Sequence, residues 1–422
     1  MRTLKTVHHK ILTPIRKFIN DSRATGILLI VCTIVSIALS NFAFSSTAYV
    51  SFWHQHFSET LSSLNLPNSP LHIINDVCMS FFFLLVGLEI KRELLVGELK
   101  SVRKSVLPVL AALGGMIVPA IIFTIFNGNT PFHHGWGIPM ATDIAFSLGV
   151  LSLLGNRVPV QLKIFLTALA IIDDLGAIVT IALFYSAQLN WIYLLFAVLA
   201  LGLILLLNKL KVQRIIYYII PGAILWYCVF NSGIDASIAG VLFALCMPID
   251  KISKIEQLLF YPVNFAIMPL FALANTAIIL PSAMGSALTS TISFGIMLGL
   301  ILGKPIGIFL FSFIASKIGI ASMPSRTNYR ELFGVSMLGG IGFTMSIFTA
   351  SLAFNFEGLQ IISKVAIIAG SLISAVAGYM FLRRVYGKKK TSIYLLNTAD
   401  DLTEQDRAME ILAPRIVNQA IG

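Results

Sequence analysis

The chain has 422 residues, of which 57% are hydrophobic and only 12% charged, with a mean hydropathy of +0.87. A soluble domain carries roughly 25% charged residues, so this composition excludes a soluble enzyme or binding module and calls for an integral membrane protein. The apolar stretches run unbroken for about a helix length, which excludes a membrane β-barrel with its period-two alternation. The formal net charge of +11 suggests no nucleic-acid partner, because the basic residues lie in loops between apolar runs, where they report topology.

The first 23 residues are polar and carry Lys5, Lys10, Arg16, Lys17 and Arg23. The apolar run that follows is too long for the core of a signal peptide and lacks a small-residue cleavage site, so it reads as a retained first span. Apolar segments then fall at about 24–44, 72–90, 105–126, 136–155, 160–186, 191–208, 213–231, 234–249, 258–280, 289–316, 330–354 and 361–383. Lys and Arg alternate with these spans. The even-numbered loops and the two termini hold 28 of the 30 basic residues, leaving only Lys304 and Lys364. This pattern predicts twelve spans with both termini in the cytoplasm. The chain divides into a cytoplasmic segment 1–23, a transmembrane domain 24–386 and a polar cytoplasmic tail 387–422, for which a short helix and disorder fit equally well. The four cysteines, Cys32, Cys78, Cys228 and Cys246, lie in or beside apolar segments without metal-site spacing and read as packing residues. The longest outer loop, about 45–71, contains the alternating stretch Tyr49 to Phe57, which fits either a β-hairpin or a membrane-surface loop with interfacial aromatics.

Two spans break the helical rules in the same way. The fourth contains Gly135-Trp136-Gly137-Ile138-Pro139-Met140-Ala141-Thr142-Asp143, and the eleventh contains Gly339-Gly340-Ile341-Gly342-Phe343-Thr344. Each is the middle member of a three-span group, spans three to five and ten to twelve. Interrupted helices at matching places in two halves point to a transport site at the bilayer midplane.

A charge at the centre of a membrane helix costs roughly 2.5–3.5 kcal/mol on insertion scales, so those that remain there mark function. They are Asp143, Asp173, Asp174 and Lys304, with Asp76 and Asp235 nearer the span ends. Asp173 and Asp174 are consecutive on the fifth span, about 100° apart around the helix, and flank a crevice lined by Ala170, Gly176 and Ala177. Buried beside one another, they bind and release protons as a coupled set. Protonated, the pair is neutral. Deprotonated, it offers hard oxygen ligands to a small alkali cation, and competition between the two suffices for exchange. Asp143 has a second job open to it, offsetting the positive ends of broken helices. Lys304 either offsets the negative ends or pairs with Asp173 while the cation is absent. Glu89 and Glu93, spaced i, i+4 at the inner end of span two, read either as a solvated span end with local ion pairs or, with Glu256, as a cation funnel and pH-responsive cluster.

Five stretches together resemble the NhaA family of bacterial sodium/proton antiporters. They are Asn75-Asp76 with Phe82 to Glu89, Pro139 to Phe146, Leu169 to Asp174, Gly303-Lys304-Pro305 and Gly339 to Phe348. The likeness spans about residues 24–386, and inverted repeats are documented for that family. It implies an all-α inner-membrane protein of about twelve helices, with inverted three-span repeats and two broken helices, spans four and eleven. The implied activity is electrogenic expulsion of sodium or lithium in exchange for inward protons, serving pH and sodium homeostasis, with alkaline activation. The protein is then a transporter and no enzyme, with no cofactor. Its implied partners are the transported ions, the lipid bilayer and a second copy of the chain, joined partly by an outer β-hairpin in the 45–71 loop. By position, Asp173 and Asp174 become the ion and proton site and the ligands of transported sodium. Thr142, Asp143 and Lys304 become the charge compensation at the breaks, and Glu89, Glu93, Glu256 and Asp235 the pH-responsive groups. The chain departs from the family at Asp235, where members often carry histidine, and this leaves the pH of activation open.

A sodium-coupled symporter needs a larger polar cavity than the few polar residues around Asp173 provide. An intramembrane aspartyl protease needs aspartates facing each other from two helices. A channel fits poorly with titratable acids in a tight crevice.

Overall fold

A computed structural model describes residues 22–58, 63–186, 188–212, 214–280, 284–325 and 327–387. The expected N-terminal segment up to residue 21 and the tail from residue 388 lie outside them. Among the described residues there are helices and turns but no strand.

Nine helices are long and apolar enough to cross a bilayer: Ala24–Asn41, Pro70–Leu95, Ser105–Asn127, His133–Leu153, Val160–Phe184, Trp191–Lys209, Ile249–Asn275, Thr291–Lys317 and Glu357–Gly387. A further span is a pair, Tyr329–Gly339 and Phe343–Ala353, bent by 43°. Two shorter apolar helices, Ile216–Asn231 and Ser237–Cys246, fall between the sixth long helix and the seventh. In chain order these twelve elements fall on the twelve apolar segments read from hydropathy and are numbered accordingly, but among the described residues only nine, or ten with the bent pair, are long and apolar enough to cross a bilayer. The turn between the two short ones needs Gly233, whose φ of +87° is closed to most side chains.

Two expectations need correction. The ninth span's helix starts at Ile249, not near 258, because Pro248 caps its start and residues 249–257 form its first, amphipathic and partly charged turns. The alternating stretch Tyr49 to Phe57 forms no hairpin; Ser46–His54 is an α-helix. Helical spacing wins because it places Tyr49 and Trp53 on one face, with rings edge-on at 5.9 Å. Trp53 is buried, whereas Phe52 points outward. The Tyr49 hydroxyl is drawn to Ser36 Oγ at 3.1 Å and the Leu273 carbonyl at 3.3 Å, which locks that face onto spans one and nine.

The interior follows from residue size. Spans three and ten cross where Gly114 meets Gly307. A Cβ on Gly114 would stand 2.3 Å from the Gly307 carbonyl oxygen, and one on Gly307 would stand 2.1 Å from that of Gly114. Span ten also presses Gly299 against Pro139 and Gly303 against Pro119, at 2.8 and 2.9 Å from a hypothetical Cβ. Only small residues allow backbones to approach this closely in a membrane. The fifth span is 67% buried and the sixth only 17%, so span five runs through the interior and span six lies at the periphery.

Candidate ion-exchange site at two crossed helix breaks

Span four is non-helical at Ala141, Thr142 and Asp143, and span eleven at Ile341 and Gly342. The breaks cross and are bonded to each other, with the Asp143 backbone N–H donating to the Ile341 carbonyl at 2.7 Å. Each break exposes helix ends that would be orphaned in a medium without water. Asp143 serves two of them at once. Its Oδ1 accepts the Phe146 N–H at 3.0 Å, capping the C-terminal half of span four, Ile144–Leu153. Its Oδ2 accepts the Thr344 N–H at 3.1 Å and the Thr344 hydroxyl, at the start of Phe343–Ala353. One carboxylate therefore faces the positive ends of two half-helices. At the opposite, carbonyl end of Tyr329–Gly339, Thr142 Oγ donates to Gly339 O at 2.9 Å and Ser147 Oγ to Leu338 O at 2.9 Å. Hydroxyls, and not the Lys304 ammonium, serve these carbonyls.

Lys304 sits on Asp173. Its Nζ forms an ion pair with Asp173 Oδ2 and also donates to Thr142 Oγ. Thr142 Oγ is in turn 2.6 Å from the same carboxylate oxygen. The lysine is delivered by span ten, where the π-helical turn Gly299–Gly303 shifts the register just before Lys304. All four charged residues at the crossing are buried: Lys304 is 0%, Asp173 and Asp174 1%, and Asp143 2% exposed. The other oxygen of Asp173, Oδ1, has no hydrogen-bond partner, and neither does Oδ1 of Asp174. Buried, unpaired anionic oxygens are rare because they are costly. Two of them on adjacent residues, beside the Lys304 ammonium, form a donor set suited to a hard monovalent cation or to protons.

The sequence matches the model of the Na+/H+ antiporter 1 family over residues 16–382. The chain belongs to that family. It is 48% identical over 393 residues to a protein named Na+/H+ antiporter NhaA 2 of Flavobacterium johnsoniae, covering 92% of this chain and 95% of the relative. It is 45% identical to Na+/H+ antiporter NhaA 1 of Clostridium beijerinckii, covering 92% and 99% of the two chains. It is 44% identical to the NhaA antiporter of Pelagibacter ubique, covering 89% and 98%. As a member of this antiporter family the chain is a multi-pass membrane transporter, and the resemblance carried by the five motifs extends through the whole spanning region.

The remaining residues singled out by the antiporter resemblance fall into two places. At the C-terminal end of span two, Arg92 bridges Glu93 at 3.2 Å and Glu256 at 3.3 Å. Glu89 lies within electrostatic reach of this group, and also of Asp174. Lys91 is occupied elsewhere, donating to Leu245 O at 2.7 Å and to Met247 O at the end of span eight. Asp235 is not with the glutamates. It accepts the Ser237 N–H at 2.9 Å and the Ser237 hydroxyl at the start of span eight, and it interacts with Asp76. Asp76 and Glu89 are thirteen positions apart on span two, roughly 20 Å at 1.5 Å per residue, so the two groups sit at opposite ends of the span.

Thr344 and Ser147 are uncharged and carry no functional role in the motif pattern, so charge alone does not single them out. A hydroxyl residue within a turn of a helix break is the signal that marks both.

Proposed function

We propose that this chain is an electrogenic sodium(lithium)/proton antiporter that expels sodium in exchange for inward protons, at Asp173 and Asp174. The observation that carries the reading is the pair of unpartnered Oδ1 atoms on two adjacent buried aspartates, with Lys304 held on Asp173 alone. A sodium ion entering the crossing competes with the Lys304 ammonium for Asp173 and takes its remaining oxygens from Asp174 and Thr142. Protons compete for the same carboxylates, so the site holds one cargo or the other and the exchange is coupled. Asp143 remains engaged with both half-helices, which supports a compensating role for it. Thr142 takes part in both functions. Glu89, Glu93 and Glu256 form the cytoplasmic approach and a pH-responsive group, with Asp235 acting on pH response from the other end. The names and lengths of the relatives support the same cargo.

The protein works in a bacterial inner membrane with both termini in the cytoplasm, as the distribution of Lys and Arg supports. A homodimer contact through the 45–71 loop would use the helix Ser46–His54 in place of strand pairing.

The test uses inside-out vesicles carrying an imposed pH gradient reported by a dye. Sodium collapses the gradient with the native chain, and Asp173→Asn reduces the response at least about tenfold, since it removes an anionic ligand from a buried site. Exchange by Asp173→Asn at the native rate would sink the site assignment.

A further inference from the structure

The outer end of span two carries polar groups that exchange at Asp173 and Asp174 does not use. Ile73–Cys78 is a π-helical turn, a local widening frequent at functional sites, and it holds Asn75 and Asp76. Four spans meet around it. The Trp226 indole N–H of span seven approaches the Asp76 carbonyl at 3.3 Å and Ser80 Oγ at 2.9 Å. Ser80 Oγ donates to the Ala236 carbonyl at 3.1 Å, which ties the residue after Asp235 against the turn. From span nine, Asn275 Nδ2 donates to Asn75 Oδ1 at 2.8 Å.

Asp76 and Asp235 act on each other electrostatically across this junction, and both are half-buried. Neither has a salt-bridge partner among the described residues. Two neighbouring carboxylates without a counter-charge repel, and the outer loops, poor in Lys and Arg, supply none. Asn275 adds an independent observation. It is 1% exposed and its Oδ1 has no hydrogen-bond partner, while its amide nitrogen is anchored on the neighbour of Asp76. A buried amide oxygen left without a donor is costly, and a cation satisfies it as well as an N–H does. Asn75 Oδ1 keeps a second lone pair for the same purpose.

We propose that Asn75, Asp76, Asp235 and Asn275 form a second, outer cation site, where the transported monovalent ion pauses between the Asp173–Asp174 site and the external solution. Four hard oxygen donors, two of them anionic, suit an alkali cation better than a soft metal. The identity of the ion rests on the sodium-exchange reading. Asp235 gives the departure from the family a physical meaning, because histidine at this position would leave a single carboxylate and a group that turns cationic at low pH.

The experiment is equilibrium binding of radioactive sodium to the purified full-length chain by scintillation proximity. With the double change Asp173→Asn and Asp174→Asn, saturable sodium binding persists. Adding Asp76→Asn or Asp235→Asn weakens that residual binding at least about fivefold, through loss of a charge in direct contact with the ion, and Asp235→Glu retains it. Absence of saturable binding in the double variant overturns the proposal, and so does residual binding that ignores Asp76→Asn and Asp235→Asn. If the combined variants do not fold, fluorescence of the otherwise native chain decides. Sodium changes the Trp226 emission, taken as the difference from Trp226→Phe, and no sodium-dependent difference overturns the site. A native chain that gives no sodium-driven dye response sinks the exchange reading instead, while the binding result stands independently.

Discussion

Lys304 and Asp173 illustrate how a buried ion pair is kept for function. Such a pair gains little net stability, but removing one member leaves the other charged and unsatisfied. Lys304→Gln therefore destabilises the fold by about 3–5 kcal/mol, read as a lower unfolding temperature. Sodium should restore part of this loss, because a ligand bound only by the folded state stabilises it. The sodium-induced rise in unfolding temperature is thus larger for Lys304→Gln than for the native chain, and equal rises would contradict competition between Lys304 and the ion. At the outer end, Asp235→His inverts a charge with a definite sign. Imidazole is cationic below about pH 6.5 and neutral above it, whereas the carboxylate it replaces is anionic when ionised. The variant should lose exchange most on the acid side, shifting the activity profile to higher pH. An unchanged profile would remove Asp235 from any part in the pH response.

At the scale of elements, the site depends on spans being pressed together where side chains are missing. Gly114 and Gly307 touch backbone to backbone, and the same helix carries Lys304 one turn earlier. Gly307→Ala inserts a methyl where the Gly114 carbonyl already stands, so spans three and ten must separate, at a cost of about 1–3 kcal/mol. Lys304 then withdraws from Asp173, and both unfolding temperature and exchange fall. A conformationally tolerant crossing would show neither change. Thr344→Val is the gentler probe. It keeps the shape and the backbone N–H to Asp143 but removes the hydroxyl, costing about 1 kcal/mol, with exchange reduced but retained. These contacts were not legible in sequence. The motif around Gly339 to Thr344 announced a break, but nothing in it said that Asp143 would face both half-helices or that Thr142 and Ser147 would serve the carbonyls.

At the scale of the molecule, the alternation of basic residues with twelve apolar segments predicts an even number of crossings, with both termini on one side. A phosphatase fused after residue 387 should be inactive and a fluorescent protein there bright, and the reverse result would overturn the orientation. The fourth and fifth spans are largely buried, whereas the sixth turns most of its apolar residues outward. Two acidic groups, Glu89 with Glu93 and Glu256, and Asp76 with Asp235, lie at the two ends of span two in a chain whose net charge is +11.

Hydropathy, which depends on local composition, determined the class and the order of the apolar helices along the chain. Burial cost alone marked Asp143, Asp173, Asp174 and Lys304, because an ion in an apolar run has no local explanation. Where two readings had equal local support, only the assembled molecule chose between them. The loop stretch from Tyr49 became a helix because Tyr49 and Trp53 could bury one face against spans one and nine. Lys304 came to rest on Asp173 because glycine contacts carried span ten that far inward. Asp235 stands apart from the glutamates because span two separates its ends by most of a membrane thickness. Each outcome was set by partners distant in the chain, which no local pattern encodes.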